Sequence, residues 1–125
     1  MIKPRPVYLN LAQIRLPLPG FVSILHRISG AALFIVGIPL ALYALQESLA
    51  SPDAFAKLAA ICSHPLARLV LFGLAWAYLH HFCAGIRFLL LDLDLGGELK
   101  QARQSSIIVL VVSLALTLMV GARLW

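Results

Sequence analysis

The stretch ISGAALFIVGIPLALYALQ, Ile28 to Gln46, runs for 19 residues without an Asp, Glu, Lys or Arg. That is long enough to cross the hydrocarbon core of a bilayer as one helix. Working outward, Leu69 to Ile86 and Gln104 to Ala122 are charge-free in the same way. Lipid offers no partner for loose backbone groups, so only helices or a closed barrel could occupy such runs. Their length and lack of strict alternation exclude a barrel. The expected fold is an all-α membrane protein with three transmembrane helices.

Composition agrees with that reading. The 125 residues are 62% hydrophobic and 12% charged, with a mean hydropathy of +0.95, which rules out a soluble globular domain. A net charge of +5 would suggest nucleic acid in a soluble chain, but the ten basic residues form no stripe, so no nucleic-acid partner is expected. Lipid is the expected surrounding. Lys3, Arg5, Arg15, Arg27, Arg87, Lys100 and Arg103 fall on one side of the spans, against Lys57, Arg68 and Arg123 on the other. The positive-inside rule then predicts a cytoplasmic N-terminus and a cytoplasmic loop around Leu93 to Lys100. Neither a signal peptide nor a transit peptide is legible in the first twenty residues, so a bacterial inner (plasma) membrane is expected.

Residues 1–20 read as a cytoplasmic arm, because Pro4, Pro6, Pro17 and Pro19 disfavour a helix. Residues 21–125 form the three-helix domain, with membrane helices predicted over about 21–46, 65–92 and 104–124. Pro39, two residues after Gly37, is the expected kink of the first. Ser51-Pro52-Asp53 is a helix start, opening a short interfacial helix over about 52–62 on the outer surface. Phe55, Leu58, Ala59 and Cys62 share its apolar face. Gly96-Gly97 is expected to turn the chain into the third span. Cys62 and Cys83 lie most of a bilayer apart, too far for a disulfide, and read as packing residues.

Polar side chains at membrane depth are costly and mark function. Ser23 and Arg27, four apart, stack on one helix face with His26 beside them. Two readings are open: Arg27 snorkels to the interface, or the pair binds a lipid-soluble molecule with a polar head. A quinone suits the second, since a hydroxyl can bond its carbonyl and a guanidinium can stabilise the charge developed on reduction.

The second cluster is His80-His81. Adjacent helical residues point about 100° apart, so the two cannot share a partner. His81 shares a face with Gly73, Ala77 and Gly85, whereas His80 shares one with Phe72, Trp76 and Ala84. The first face leaves room for a planar group, which favours His81 as a haem b axial ligand; a packing histidine is the alternative. The second axial histidine would be His26 or one on another subunit.

The segments RPVYLNL (Arg5–Leu11), IRLPL (Ile14–Leu18), SILHRISG (Ser23–Gly30) and HFCAGIRFLLLD (His81–Asp92) resemble the cytochrome b membrane-anchor subunit of succinate dehydrogenase, respiratory complex II. The resemblance spans nearly the whole chain. It implies a two-subunit helical bundle in which a second anchor supplies the other axial histidine, beneath an iron–sulfur subunit and a flavoprotein. It also implies haem b bound by His81, His26 and Arg27, with His81 on the iron and His26 near the propionates, and ubiquinone at Ser23 and Arg27. FAD and iron–sulfur clusters would lie only in the partners, since two cysteines and no dinucleotide fingerprint leave no succinate-oxidising site in this chain. A fumarate reductase anchor and a haem-free structural anchor are the alternatives, and a small transporter component using His80 or His81 is the weakest.

Phe88 departs from the pattern, which often carries a histidine after GIR, and His80 has no assigned role. Arg87 reads as an interfacial anchor rather than a propionate partner. Asp92, Asp94 and Glu98 read as a solvated or docking loop.

Overall fold

The structure is a computed structural model that describes residues 15–125; the RPVYLNL segment and most of the arm lie outside them. Five α-helices and one π-helical turn follow: α1 (Leu18–Ala32), the π turn (Leu33–Gly37), α2 (Ile38–Ala50), α3 (Pro52–Ser63), α4 (Pro65–Asp92) and α5 (Leu99–Leu124). The stretch Leu18–Ala50, α4 and α5 are each long and apolar enough to span a membrane.

The first span starts three residues earlier than the proline pattern suggested. Pro17 is its N-cap and Pro19 falls within the first turn, where a missing N–H costs nothing because that donor has no intrahelical acceptor. The expected kink takes the form of the π turn. Pro39 can neither donate a hydrogen bond nor tolerate the carbonyl four residues back. The turn before it absorbs one extra residue, and the Ile38 N–H reaches the Leu33 carbonyl, five residues away.

The starts of α3 and α4 are capped by side chains, whereas that of α5 is not. Ser51 Oγ accepts the Ala54 N–H at 3.1 Å, and His64 Nδ1 accepts the Leu66 N–H at 3.2 Å ahead of α4. At the far end of α4, the Asp94 N–H bonds the Leu91 carbonyl and the Leu95 N–H bonds the Leu90 carbonyl, both at 3.0 Å. This is a Schellman motif. Its left-handed position is Asp94, with φ 60°, and Gly96, with φ 84°, turns the chain two residues later. Once the helix stops there, α5 begins at Leu99, five residues before the charge-free run.

α1, α4 and α5 pack on one another, while α3 folds back against α2 and α4. The interior reverses the soluble pattern. Val22, Ala84 and Val109 form a small apolar nucleus. Around it are buried Ser29, His80, Arg87, Ser106, Ser113 and Thr117. Large apolar side chains such as Phe34, Leu49 and Leu89 lie outside, at 73%, 77% and 66% exposure. In lipid there is no hydrophobic gain from turning leucines inward, so helices meet through small residues that let backbones approach. α5 does so along Ser106, Val109, Ser113, Thr117 and Gly121, all buried. Ser106, Ser113 and Thr117 return their hydroxyls to carbonyls one turn back, so no polar group on that stripe is stranded.

Candidate functional site

The two polar clusters meet across the α1–α4 contact. Ser29 on α1 and His81 on α4 lie eleven residues in from Leu18 and Asp92, roughly 16 Å along each helix. The chain alternates direction with each span, so these depths coincide and the two residues face each other.

His81 Nδ1 is 3.0 Å from the His26 carbonyl oxygen and 3.2 Å from Ser29 Oγ. Ser29 Oγ in turn donates to the same carbonyl at 2.9 Å. A carbonyl can only accept, so the bond at 3.0 Å requires the proton on Nδ1, and the Ser29 hydroxyl, its own hydrogen committed, receives the same N–H. Nε2 is then the nitrogen with the free lone pair. A metal-binding histidine needs this tautomer, its other ring N–H being held by a carbonyl or similar acceptor.

Gly30 makes that contact sterically feasible. A Cβ there would stand 2.7 Å from His81 Cε1 and 3.2 Å from Nδ1. On its other side, His81 joins the wall of an apolar groove of about 670 Å³ between the π turn and α4, with Leu33, Gly37, Leu74 and Phe82. A π turn at such a place is a common mark of a functional site.

His26 stacks on His81, with ring centroids 4.1 Å apart and planes 8° from parallel. Phe88 packs on His26 from the other side, at 5.1 Å and 52°. Faces stacked at this distance leave no space for a macrocycle between the rings. Haem ligation by both His26 and His81 of one chain, one of the alternatives the sequence left open, does not fit this geometry. Among the described residues there is also no group of three or more histidine, cysteine or acidic side chains that could hold a metal ion.

His80 goes the other way. It is completely buried, stacks on Trp76 at 5.2 Å, and neither ring nitrogen has a hydrogen-bond partner. Of the face assigned to His81, Ala77 is instead buried while Gly73 is exposed. His80 lines none of the three main grooves of the described residues.

Ser23 is half-buried and Arg27 exposed. Arg27 lies nine residues from the start of α1, roughly 13 Å along it. Neither residue lines the three main grooves of the described residues, so a pocket around them would need walls from neighbouring chains.

Arg87 overturns the expectation of an interfacial anchor. It is 6% exposed. Its Nε donates to Ser105 Oγ at 2.9 Å, its terminal nitrogen reaches the Ala102 carbonyl at 3.4 Å, and its guanidinium lies 5.4 Å from the Phe88 ring centre. The physical reason is the early start of α5, whose first turns stand beside Arg87 and offer it acceptors. Sequence reasoning passed over Ser29, Gly30 and Ser105. The available signal was their spacing: Ser29 follows His26 by three, one turn along the same face. Cys62 and Cys83 are both free.

Fold and site together define an integral-membrane subunit of three spans, with an imidazole clamped between the first and second. The family model described as succinate dehydrogenase/fumarate reductase transmembrane subunit matches residues 1–120, and the chain belongs to that family. It is 39% identical over 102 residues to the succinate dehydrogenase cytochrome b556 subunit of Paracoccus denitrificans, covering 82% of this chain and 78% of the relative. The subunit of the same name from Coxiella burnetii is 35% identical over 122 residues, covering 97% of each. That from Rickettsia bellii is 32% identical over 115 residues, 92% of this chain and 89% of the relative.

Proposed function

We propose that this chain is a haem b-binding membrane anchor of succinate dehydrogenase, which tethers the iron–sulfur and flavoprotein subunits to the membrane and forms part of the site where ubiquinone is reduced. The observation that carries the reading is the His81 clamp: a half-buried N–H fixed on Nδ1 by a carbonyl and a hydroxyl, leaving Nε2 as the donor, beside an apolar groove. The name cytochrome b556 carried by the relatives supports the same cofactor.

In this account His81 would hold the haem iron together with a histidine of a second anchor subunit, since the stacked His26 is not placed to do so. His26 takes the role of a neighbour to the haem propionates. When bound there, the haem would supply a one-electron store. Ser23 donates its hydroxyl to a quinone carbonyl, and Arg27 stabilises the negative charge that builds on the ring as electrons arrive. Electrons come from the partner subunits, which carry FAD and the iron–sulfur clusters. The complex lies in a bacterial plasma membrane with this chain's N-terminus in the cytoplasm, where the excess of Lys and Arg places it.

The family description includes fumarate reductases, and the same anchor chemistry serves the reverse direction. Arg27→Ala tests the quinone assignment. Removing a charge-assisted contact to a developing anion costs about 2.7–4 kcal/mol, so succinate-driven ubiquinone reduction should fall by about 100-fold or more while electron delivery to a water-soluble dye persists. Unchanged quinone reduction in the assembled variant would refute the role of Arg27.

A further inference from the structure

We infer that Ser29 is a positioning residue for the haem: together with the main-chain carbonyl of His26 it sets the tautomer, the ring orientation and the electron-donating strength of His81. The inference rests on the reading of His81 as the axial ligand.

Ser29 is 3% exposed and stands on the α1 face that meets α4. A serine in a helix interior can satisfy its hydroxyl by bonding back to its own helix, and Ser29 does so, to the His26 carbonyl at 2.9 Å. Ser106, Ser113 and Thr117 do the same on α5 and touch no ring nitrogen. Ser29 differs because its oxygen also lies 3.2 Å from His81 Nδ1. The back-bond orients the hydroxyl so that its lone pairs, rather than its hydrogen, face the imidazole.

Two consequences follow for the ligand. With acceptors at 3.0 and 3.2 Å, the Nδ1–H is held in a fork, which limits rotation of the ring about its bond to the backbone. An N–H drawn toward acceptors also leaves more electron density on Nε2 and raises its basicity. A more basic axial nitrogen favours ferric over ferrous iron and lowers the reduction potential. The glycine next in sequence lets the ring approach this closely, since a Cβ at Gly30 would meet it at 2.7 Å.

The test is the haem midpoint potential and the low-spin ferric electron paramagnetic resonance spectrum of the assembled complex, for the native chain, Ser29→Ala, Ser29→Thr and His81→Ala. Ser29→Ala should keep its haem but shift the ferric–ferrous balance about threefold toward ferrous, roughly 28 mV upward at 59 mV per tenfold for one electron, with altered ferric g-values. Ser29→Thr keeps the hydroxyl and should restore both. A serine that served only its own helix would leave both unchanged, and unchanged values in Ser29→Ala would overturn the inference. The two failures are separable. Haem retained in His81→Ala removes the ligand assignment and the inference with it, whereas haem lost in His81→Ala with a silent Ser29→Ala removes the positioning role alone.

Discussion

Replacing Gly30 by alanine adds one methyl group at the closest approach of α1 to α4. The new Cβ would lie 2.7 Å from His81 Cε1, against an optimal carbon–carbon separation of about 3.5–4.0 Å. Either the ring or the helix must retreat by about 1 Å to reach that separation. The bonds from His81 Nδ1 begin at 3.0 and 3.2 Å, so a shift of that size breaks one or both. Overpacking of this kind costs about 1–3 kcal/mol, and each lost hydrogen bond about 1 kcal/mol more. Alanine recovers up to about 1 kcal/mol through its better helix propensity. The net is roughly 1–5 kcal/mol lost, or about a 5- to 5,000-fold weakening of anything that depends on the clamped ring. The assay is the haem-to-protein ratio of the purified complex during dilution into haem-scavenging apoprotein, with thermal stability measured in parallel. Gly30→Ala should lose haem faster and melt earlier. Native haem retention together with native melting would refute the reasoning, because the steric conflict cannot leave the ring where it stands.

Two further substitutions probe the frame around the site. Arg87→Ala deletes a buried side chain that ties α4 to Ser105 and Ala102, and should lower the stability of the α4–α5 pairing by about 2–4 kcal/mol, read as a lower melting temperature; an interfacial snorkelling arginine would give less than about 0.5 kcal/mol. Asp94→Gly relieves a non-glycine residue held at φ 60° in the Schellman turn, and should raise thermal stability by about 0.5–1 kcal/mol without changing haem content.

The spans were legible because charge is expensive in lipid, and a run of 18 or 19 residues without it has the length of a bilayer crossing. Their ends were less so. A proline pattern that reads as a break is compatible with the first turn of a helix, so Pro17 and Pro19 begin α1 where the arm was expected to continue. The helix ended earlier than the glycines, so Asp94 took the left-handed position at its end, while Gly96, left-handed as well at φ 84°, turns the chain two residues on.

Periodicity along one helix separated His80 from His81 and directed attention to the open face. It could not say what stands opposite. The clamp on His81 joins residues 52 apart in sequence, and the inward turn of Arg87 depends on where α5 starts; both are properties of a pair of helices. The stacking of His26 on His81 is of the same kind. A reading of each helix by itself had left the two histidines as a candidate pair of ligands.

The measurement that tests the central claim most directly is the dithionite-reduced minus oxidised optical spectrum of the purified complex, with the native chain compared with His81→Ala and His80→Ala at matched protein recovery. A b-type haem signal is predicted in the native complex, with its loss in His81→Ala and its retention in His80→Ala. A native complex that is fully assembled and free of haem would contradict the assignment of His81, as would a signal that survives the loss of His81 or disappears only with His80.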